Sequence, residues 1–449
     1  MKTYLERANG AALDIFAHYL DPVATWSLIS PHAERIRYLE FEYKELKDIQ
    51  KISDAILGRL SILHTLTITS TNEGGHLANS TNLLPSYSQL FGSAANLKVF
   101  RIQSESSFLK YLVFPNLVSF DFSAQQDQRF RITELLDFLE ATPTLQSVEL
   151  EVFGCSSPED APRGRIITLP NVQQFTLLLG NGSQSEFGYW IAAHLRCPSV
   201  KSTSFVHAGD YNNVLGKIFP GPDSWNAIVS QYTATSNPIE EVILEIIPPS
   251  PITCKITFQY RNGSVVELHF EEAEPNEATA QSFSPEVYSH VIAQATRTLR
   301  EHPQLQSIKC VHIRHGLDEG PDHPIEPIAI SFWGLFVSLG RLEQLTISSG
   351  DLRPYLYPFF EGIGSDWIKN QELFPQTKRL TISSRKYTIC DAFYSVIIQL
   401  AHLQHSLKKP FEYVEFRAGA VPYRILEVNS ALTQWVKTDV EYFESPDDN

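Results

Sequence analysis

The histidines, acids and serines of this chain are the first places to look for chemistry. His312, His315, Asp318, Asp322 and His323 crowd within a dozen positions, and imidazole with carboxylate is a ligand set for a divalent metal. His207-x-x-Asp210, with Ser202 and Ser204 just before it, carries the residue types of a nucleophilic triad. A triad is defined by geometry, which spacing alone does not supply. Gly180-Asn181-Gly182 follows an apolar run and resembles half of a phosphate loop, but the third glycine of a dinucleotide fingerprint is missing. Gly209 to Gly216-Lys217 has neither the spacing nor the following Ser or Thr of a nucleotide-binding P-loop, and no G-x-S-x-G elbow occurs. Five cysteines (Cys155, Cys197, Cys254, Cys310, Cys390) include no C-x-x-C pair. An odd, dispersed set is neither a disulfide framework nor a zinc signature, and it suits a reducing compartment. The simpler reading of each cluster is structural. His312 continues the phase of Ile308 and Cys310 and is expected to pack behind a strand, while its companions fall in a Gly/Pro-rich loop, His315 to Pro327. No catalytic residue, cofactor or metal is expected, and a hydrolase is only a secondary alternative.

The elements that would carry these residues show a repeat. An apolar residue is followed at +3 and +5 by two more, often with proline two places before the first. Pro115-x-Leu117-x-x-Phe120-x-Phe122, Pro143-x-Leu145-x-x-Val148-x-Leu150 and Pro170-x-Val172-x-x-Phe175-x-Leu177 are successive copies, with Pro198-x-Val200 and Phe205 after them. Others start at Leu63, Leu97, Leu305 and Leu342, and weaker ones at Ile36, Ile239, Thr377 and Phe411. The last two apolar positions lie two apart, so they share one side of a short strand and the residues between them take the other. Helical spacing precedes several strands, as in Ile132-Leu135-Leu136-Phe138-Leu139, Tyr189-Trp190-Ala193-Leu195 and Val291-Ile292-Ala295-Leu299. Such a unit cannot bury its apolar face alone. The fold predicted is α/β: an irregular leucine-rich-repeat solenoid whose mostly parallel sheet is backed by helices. About twelve units would run from 36 to 416 in one domain of 1–449, with caps at 1–35 and 417–449. The second cap includes an acidic tail (Glu441, Glu444, Asp447, Asp448).

One interval between copies is much longer than the rest. Ile252 to Tyr260 and Ser264 to Phe270 flank Arg261-Asn262-Gly263, and two β-rich runs around Asn-Gly predict an inserted hairpin near 252–270. An acidic loop (Glu271, Glu272, Glu274, Glu277) follows. The longest nearly apolar run, Pro327 to Leu339, falls short of the ~20 residues that cross a bilayer and reads as a buried helix.

With 36 Lys and Arg against 51 Asp and Glu, the chain carries a formal charge of −15, the wrong sign for a nucleic-acid partner. Charged residues are only 19% and hydrophobic ones 43%, which gives ample material for a core. The start has Glu6, Arg7 and Asp14 where a signal peptide needs an apolar stretch, so the expected location is cytoplasmic or nuclear, with no membrane partner. The sequons at Asn79, Asn181 and Asn262 then match by chance.

Four stretches, in order, carry a family resemblance: Tyr4 to Ile15, Ser30 to Leu39, Leu84-Pro85 through Leu90-Phe91-Gly92 to Asn96-Leu97, and Val436 to Tyr442. Across essentially its whole length the chain resembles the fungal F-box proteins with irregular leucine-rich repeats that are expanded in mushroom-forming fungi. The resemblance implies a substrate-binding array of a cullin-based ubiquitin ligase. Its F-box would open with Leu-Pro-x-Glu and dock on the ligase adaptor. No such segment occurs in this sequence, so the adaptor is an expected partner only if an F-box lies upstream. Most units also lack the asparagine ladder of regular leucine-rich repeats. The alternative is a free-standing scaffold or decoy. Either way a protein target would lie on the open sheet face, whose outward positions are expected at Glu40, Thr67, Arg101, Asp121, Glu149, Glu151, Thr176, Lys309, Thr346, Thr381, Glu415 and Arg417. Acid concentrated from Asp121 to Glu151 favours a partner of basic character.

Overall fold

The computed structural model describes residues 10–17, 22–43, 59–70, 94–103, 109, 112–124, 131–152, 164–179, 183–209, 237–247, 253–272, 285–302, 304–316, 331–332, 334–336, 338–349, 376–384, 398, 401–402, 405–406, 410–418 and 430–442. It is a mixed α/β protein with a large, mostly parallel sheet of 16 strands, a separate two-stranded sheet and few helices. Packing divides the chain into two compact units, Met1–Phe205 and Val206–Asn449.

In the first unit the sheet order is β1 (Leu13–Ala17), β2 (Ile36–Tyr43), β3 (Thr65–Ser70), β4 (Val99–Gln103), β5 (Ser119–Ser123), β6 (Ser147–Glu151) and β8 (Gln174–Leu179). Sequence neighbours pair in parallel with no slip from β2 to β8. Each strand buries the second and third apolar positions of its triad: Leu39 and Phe41, Leu66 and Ile68, Phe100 and Ile102, Phe120 and Phe122, Val148 and Leu150, Phe175 and Leu177. The short β7 (Ile167–Thr168) and β9 (Leu195–Arg196) form the small sheet. β10 (Ser202–Gly209) spans the boundary between the units.

The proline of the pattern has a geometric role. Leu117, Leu145, Val172 and Val200 each donate a backbone N–H to the carbonyl three residues back, on Phe114, Thr142, Leu169 and Cys197, at 3.2–3.4 Å. Pro115, Pro143, Pro170 and Pro198 stand second in those turns, where a fixed φ near −65° is what the turn requires. The carbonyl of the residue after the first apolar position accepts two N–H groups from the following unit. Lys98 and Val99 donate to His64, Val118 and Ser119 to Lys98, and Gln173 and Gln174 to Gln146, all within 3.0 Å. A polar ladder also links the turns. Asn96 Nδ2 donates to the Ser61 carbonyl (2.6 Å), Asn116 to Ala95 (2.9 Å), Thr144 Oγ1 to Pro115 (3.0 Å) and Asn171 to Pro143 (2.9 Å). These side chains sit just before the first apolar position, a place the sequence reading did not single out.

Helix α1 (Pro22–Ile29) and a 3-10 turn, Ser30–Arg35, precede β2. Helix α2 (Ile132–Glu140) buries Ile132, Leu135, Leu136, Phe138 and Leu139, as its spacing predicts. Phe138 meets Phe120 at 4.5 Å between ring centroids, within a cluster that includes Phe100 and Phe114. Helix α3 (Ser183–Ala192) approaches β8 where Gly188 has no side chain: a Cβ there would lie 2.0 Å from Leu179 Cδ2.

In the second unit the order is β13 (Val265–Glu272), β12 (Thr253–Tyr260), β11 (Ile239–Ile247), β14 (Cys310–His315), β15 (Gln344–Ser349), β16 (Arg379–Ser384), β17 (Tyr413–Ala418) and β18 (Lys437–Tyr442). The expected hairpin is β12–β13. It pairs antiparallel on both sides of β12, while β11 and β14 onward are parallel. Gly263 at φ 81° donates its N–H to the Tyr260 carbonyl (2.8 Å), and Asn262 Oδ1 accepts from the Ser264 N–H (2.9 Å). Helix α4 (Pro285–Glu301) packs on β12, and the neighbouring His302 ring lies 4.8 Å from Phe258. Helical residues occur in the apolar run at 331–332, 334–336 and 338, with Phe332, Leu335 and Phe336 buried.

Several expectations need correction. The regions read as caps contain β1 and β18, each paired in parallel with the adjacent strand. Glu441 is therefore a strand residue rather than part of an acidic tail; Glu444, Asp447 and Asp448 lie outside the described residues. Glu271 and Glu272 end β13 instead of opening a loop, with Glu274 and Glu277 outside the described residues. The copy beginning at Leu305 is displaced by three. A 3-10 turn occupies Leu305–Ser307, and the buried triad is Ile308, Val311 and Ile313. Two overlapping triads fit the same letters, because both Leu305 and Ile308 are apolar and buried. Lys309 consequently precedes the strand, where its carbonyl accepts the N–H groups of Glu343 and Gln344. His312 takes the outward mid-strand position assigned to Lys309.

Candidate binding surface

Parallel pairing without slip turns equivalent positions into straight rows. On the outward side of the first unit one row reads Phe16, Glu40, Thr67, Arg101, Asp121, Glu149 and Thr176, each in register with the next. The row two residues on reads Glu42, Thr69, Gln103, Ser123 and Glu151. Six expected outward residues of this unit, Glu40, Thr67, Arg101, Asp121, Glu149 and Glu151, thus fall into two adjacent rows, and Thr176 continues the first. The two rows hold five carboxylates and one guanidinium.

Neighbouring strands are about 4.8 Å apart, so carboxylates on adjacent strands are forced close together. Arg101 Nε stands 3.8 Å from Asp121 Oδ2, with the two side chains 53% and 39% exposed. That contact is too long and too wet to balance the site. Partial burial, then Glu149, pushes the Asp121 carboxyl up to about 6; Arg101 pulls the other way and Glu151 adds to the rise. At the far end of the row Phe16 is 57% exposed, with its ring 4.9 Å from that of Tyr38. The Tyr38 hydroxyl donates to Glu40, and burial followed by that bond raises the phenol. Asp14, beside them, is held by a two-pronged bond from Arg37 at 3.1 and 2.7 Å.

The second unit treats its charges differently. Its rows are Glu241, Cys310, Gln344, Arg379, Tyr413 and Lys437; then Ile243, His312, Thr346, Thr381, Glu415 and Asp439; then Glu245, Arg314, Ser348, Ser383, Arg417 and Glu441. Among its described residues three acids have a basic partner, Glu245 with Arg314 (2.6 Å), Glu267 with Lys255 (2.7 Å) and Glu343 with Lys309 (2.8 Å), and Glu241 meets the His312 ring at 2.8 Å. Glu415 accepts from Thr381 Oγ1 at 3.1 Å. Thr346, Thr381 and Glu415 hold the outward positions expected of them, and Arg417 pairs in register with Ser383.

Among the described residues, the clusters singled out for chemistry are not brought together. His312 lies on the outward side and not behind the strand, because the strand phase is set by Val311 and Ile313. His315 is buried on the opposite side. Asp318, Asp322 and His323 lie outside the described residues, as does Asp210. Thr203, Phe205 and His207 alternate inward on β10, so His207 is on the opposite side from Ser202 and Ser204. Its ring lies 5.6 Å from Phe270, and burial pushes its pKa down to about 4. What the sequence reading missed is Cys310-x-His312 itself. Two ligand types at i and i+2 on a strand share a face, and Glu241 stands beside Cys310 on β11.

No protein-family model matches the chain, and no curated protein matches it in sequence. Among the described residues, no helix is long and apolar enough to cross a membrane.

Proposed function

We propose that the chain is a non-catalytic recognition module that holds a basic segment of a protein partner against the outward rows of its first unit. The observation that carries this reading is the acid at Asp121, Glu149 and Glu151, beside which the described residues place one guanidinium, Arg101 at 3.8 Å from Asp121. A carboxyl raised to about 6 by its own surroundings is a group the fold alone does not stabilise. A partner's lysine or arginine would supply the missing positive charge, and the exposed Phe16 beside Tyr38 offers an aromatic anchor of the type found at interface hot spots. In the second unit Glu245, Glu267 and Glu343 already have a base within 2.8 Å.

In its finer form the reading takes the in-register strands and proline turns as an irregular leucine-rich-repeat solenoid. The resemblance to mushroom-type F-box proteins supports assigning that array to substrate binding in a cullin ubiquitin ligase, acting in the cytoplasm or nucleus; the alternative is a scaffold without ubiquitin transfer. Affinity capture with the full chain, followed by mass spectrometry, tests both levels. Basic partners retained by the wild type and lost by the Asp121→Asn/Glu149→Gln double variant are the expected result. Equal retention by both would refute the assigned surface. Absence of the cullin and its adaptor from captures made with sequence that includes an upstream Leu-Pro-x-Glu segment would refute the ligase assignment.

A further inference from the structure

We infer that Glu241, Cys310 and His312 form a binding site for a thiophilic divalent transition-metal ion, with zinc the best fit. The three come together because β11 and β14 pair in parallel with Glu241 opposite Cys310, while His312 follows two places along the same strand and face. One ligand atom from each lies within 4.8 Å of the others. His312 Nε2 is 3.2 Å from Cys310 Sγ and 2.8 Å from Glu241 Oε1.

The same ring nitrogen makes both contacts, and that decides between two chemistries. An acid–histidine–thiol relay needs both imidazole nitrogens, one oriented by the acid and the other facing the nucleophile. Here the acid and the thiol converge on one atom. A single proton at Nε2 cannot serve both: placed on nitrogen it satisfies Glu241 and leaves the sulfur unassisted, and placed on sulfur it turns the nitrogen lone pair toward the carboxylate. A cation at the convergence point satisfies all three groups.

The dimensions agree with this. Zinc bonds of about 2.3 Å to sulfur and about 2.0–2.2 Å to nitrogen and oxygen, at tetrahedral angles, put S···N at about 3.6 Å and N···O at about 3.4 Å. The trio needs to spread by roughly half an ångström. His312 and Glu241 side chains are 21% and 30% exposed, so an ion can enter from solvent, and the fourth position remains for water or another donor. Arg314, two places further along β14, is engaged by Glu245 at 2.6 Å. On the other side of β14, Gln344 stands beside Cys310 and Thr346 beside His312, both uncharged. A thiol of ordinary pKa, about 8.5, holds its proton at neutral pH until a metal displaces it. Binding forms the S–metal bond and releases that one proton to solvent; thiolate and carboxylate together then balance the two charges of the ion. Affinity therefore rises with pH.

The test uses the full chain, reduced and stripped of metal, titrated with Co(II) alone and then challenged with Zn(II). A thiolate-to-cobalt charge-transfer band that saturates at about one equivalent and disappears on adding zinc is expected. Cys310→Ser should abolish the band, and His312→Ala or Glu241→Gln should weaken binding by about 10–100-fold. The absence of a thiolate band in the wild type, or its persistence in Cys310→Ser, would overturn the site. A measurement without variants guards against misfolding: zinc should slow alkylation of Cys310, read by mass spectrometry of the intact wild type. An unchanged rate would overturn the inference equally.

Discussion

Replacing Asp121 by asparagine should make the protein more stable, although it removes a charged group from a hydrophilic face. The carboxyl is raised from its ordinary value of 3.8 to about 6, first by partial burial and then by Glu149. A carboxylate raised in the folded state costs stability once it ionises. That cost is absent below the unfolded pKa, grows between about pH 4 and about pH 6, and is complete above. The full shift corresponds to about 3 kcal/mol at about 1.4 kcal/mol per pH unit. The side chain is 39% exposed, however, and solvent screening reduces the figure to about 1 kcal/mol. For a unit of 205 residues that is a rise in Tm of roughly 2–4 °C. Differential scanning calorimetry of wild type and variant at about pH 4 and about pH 7.5 reads it directly, with no gain expected at the lower pH and the full gain at the higher. A variant that is less stable at the higher pH, or that gains equally at both, would refute the electrostatic account of the row. The same substitution should weaken binding of a lysine-rich peptide, so stability and binding move in opposite directions.

Other consequences follow from the packing. Phe120, 1% exposed and 4.5 Å from the Phe138 ring, should cost about 3–5 kcal/mol as Phe120→Ala, measured by urea unfolding; a loss under about 1 kcal/mol would mean the aromatic cluster is not a packed core. Gly188→Ala would normally gain about 1 kcal/mol in a helix, but its Cβ would meet Leu179 at 2.0 Å, so a net loss of about 1–3 kcal/mol is expected, and a rise in Tm would contradict the close approach of α3 to β8. Burial pushes His302 down to about 3, so its contribution is complete above about pH 6.5 and is lost as pH falls toward that value. Between about pH 6.5 and about pH 5 the wild type should lose about 2 kcal/mol that His302→Gln does not lose; parallel losses would exclude this histidine as the cause.

Much of the fold was legible because the repeat states its own geometry. Leu117, Phe120 and Phe122 carry the turn, the first inward residue and the second, and Pro115 marks where the turn begins. Asn262-Gly263 likewise announced its hairpin, through a left-handed glycine and an asparagine side chain that accepts from the Ser264 N–H. The misreading at Leu305 arose where two apolar residues three apart, Leu305 and Ile308, let the same pattern fit in two phases. Only the 3-10 turn distinguishes them, and it forms because Leu305 fills a buried place ahead of the unit. β1 and β18 were missed for the opposite reason: Leu13–Ala17 buries only Ile15 and Ala17, so its triad is incomplete. The outward rows could be listed from alternation. Which members meet depends on register, and Glu241 lies 69 residues from Cys310 in the chain.

Register is also what gives the surface its meaning. In an antiparallel or slipped sheet, like charges at equivalent repeat positions can be staggered; in a parallel sheet without slip they stand side by side, about 4.8 Å apart. Two carboxylates at that spacing repel by about 1 kcal/mol even at the dielectric constant of water. The fold offers ready relief, since threonine already occupies the same row at Thr67 and Thr176 and would serve at 121 or 149 without loss of strand propensity. The second unit shows the other remedy at several acids, a base within reach, as in Glu245 with Arg314. Asp121 has Arg101 opposite it, but at 3.8 Å that one guanidinium only partly offsets Asp121 and the neighbouring Glu149. Folding alone gives no reason for that pair to stand side by side. A cation brought by a partner gives one, because it reverses the sign of the interaction at the place where the unbound sheet is least favourably charged.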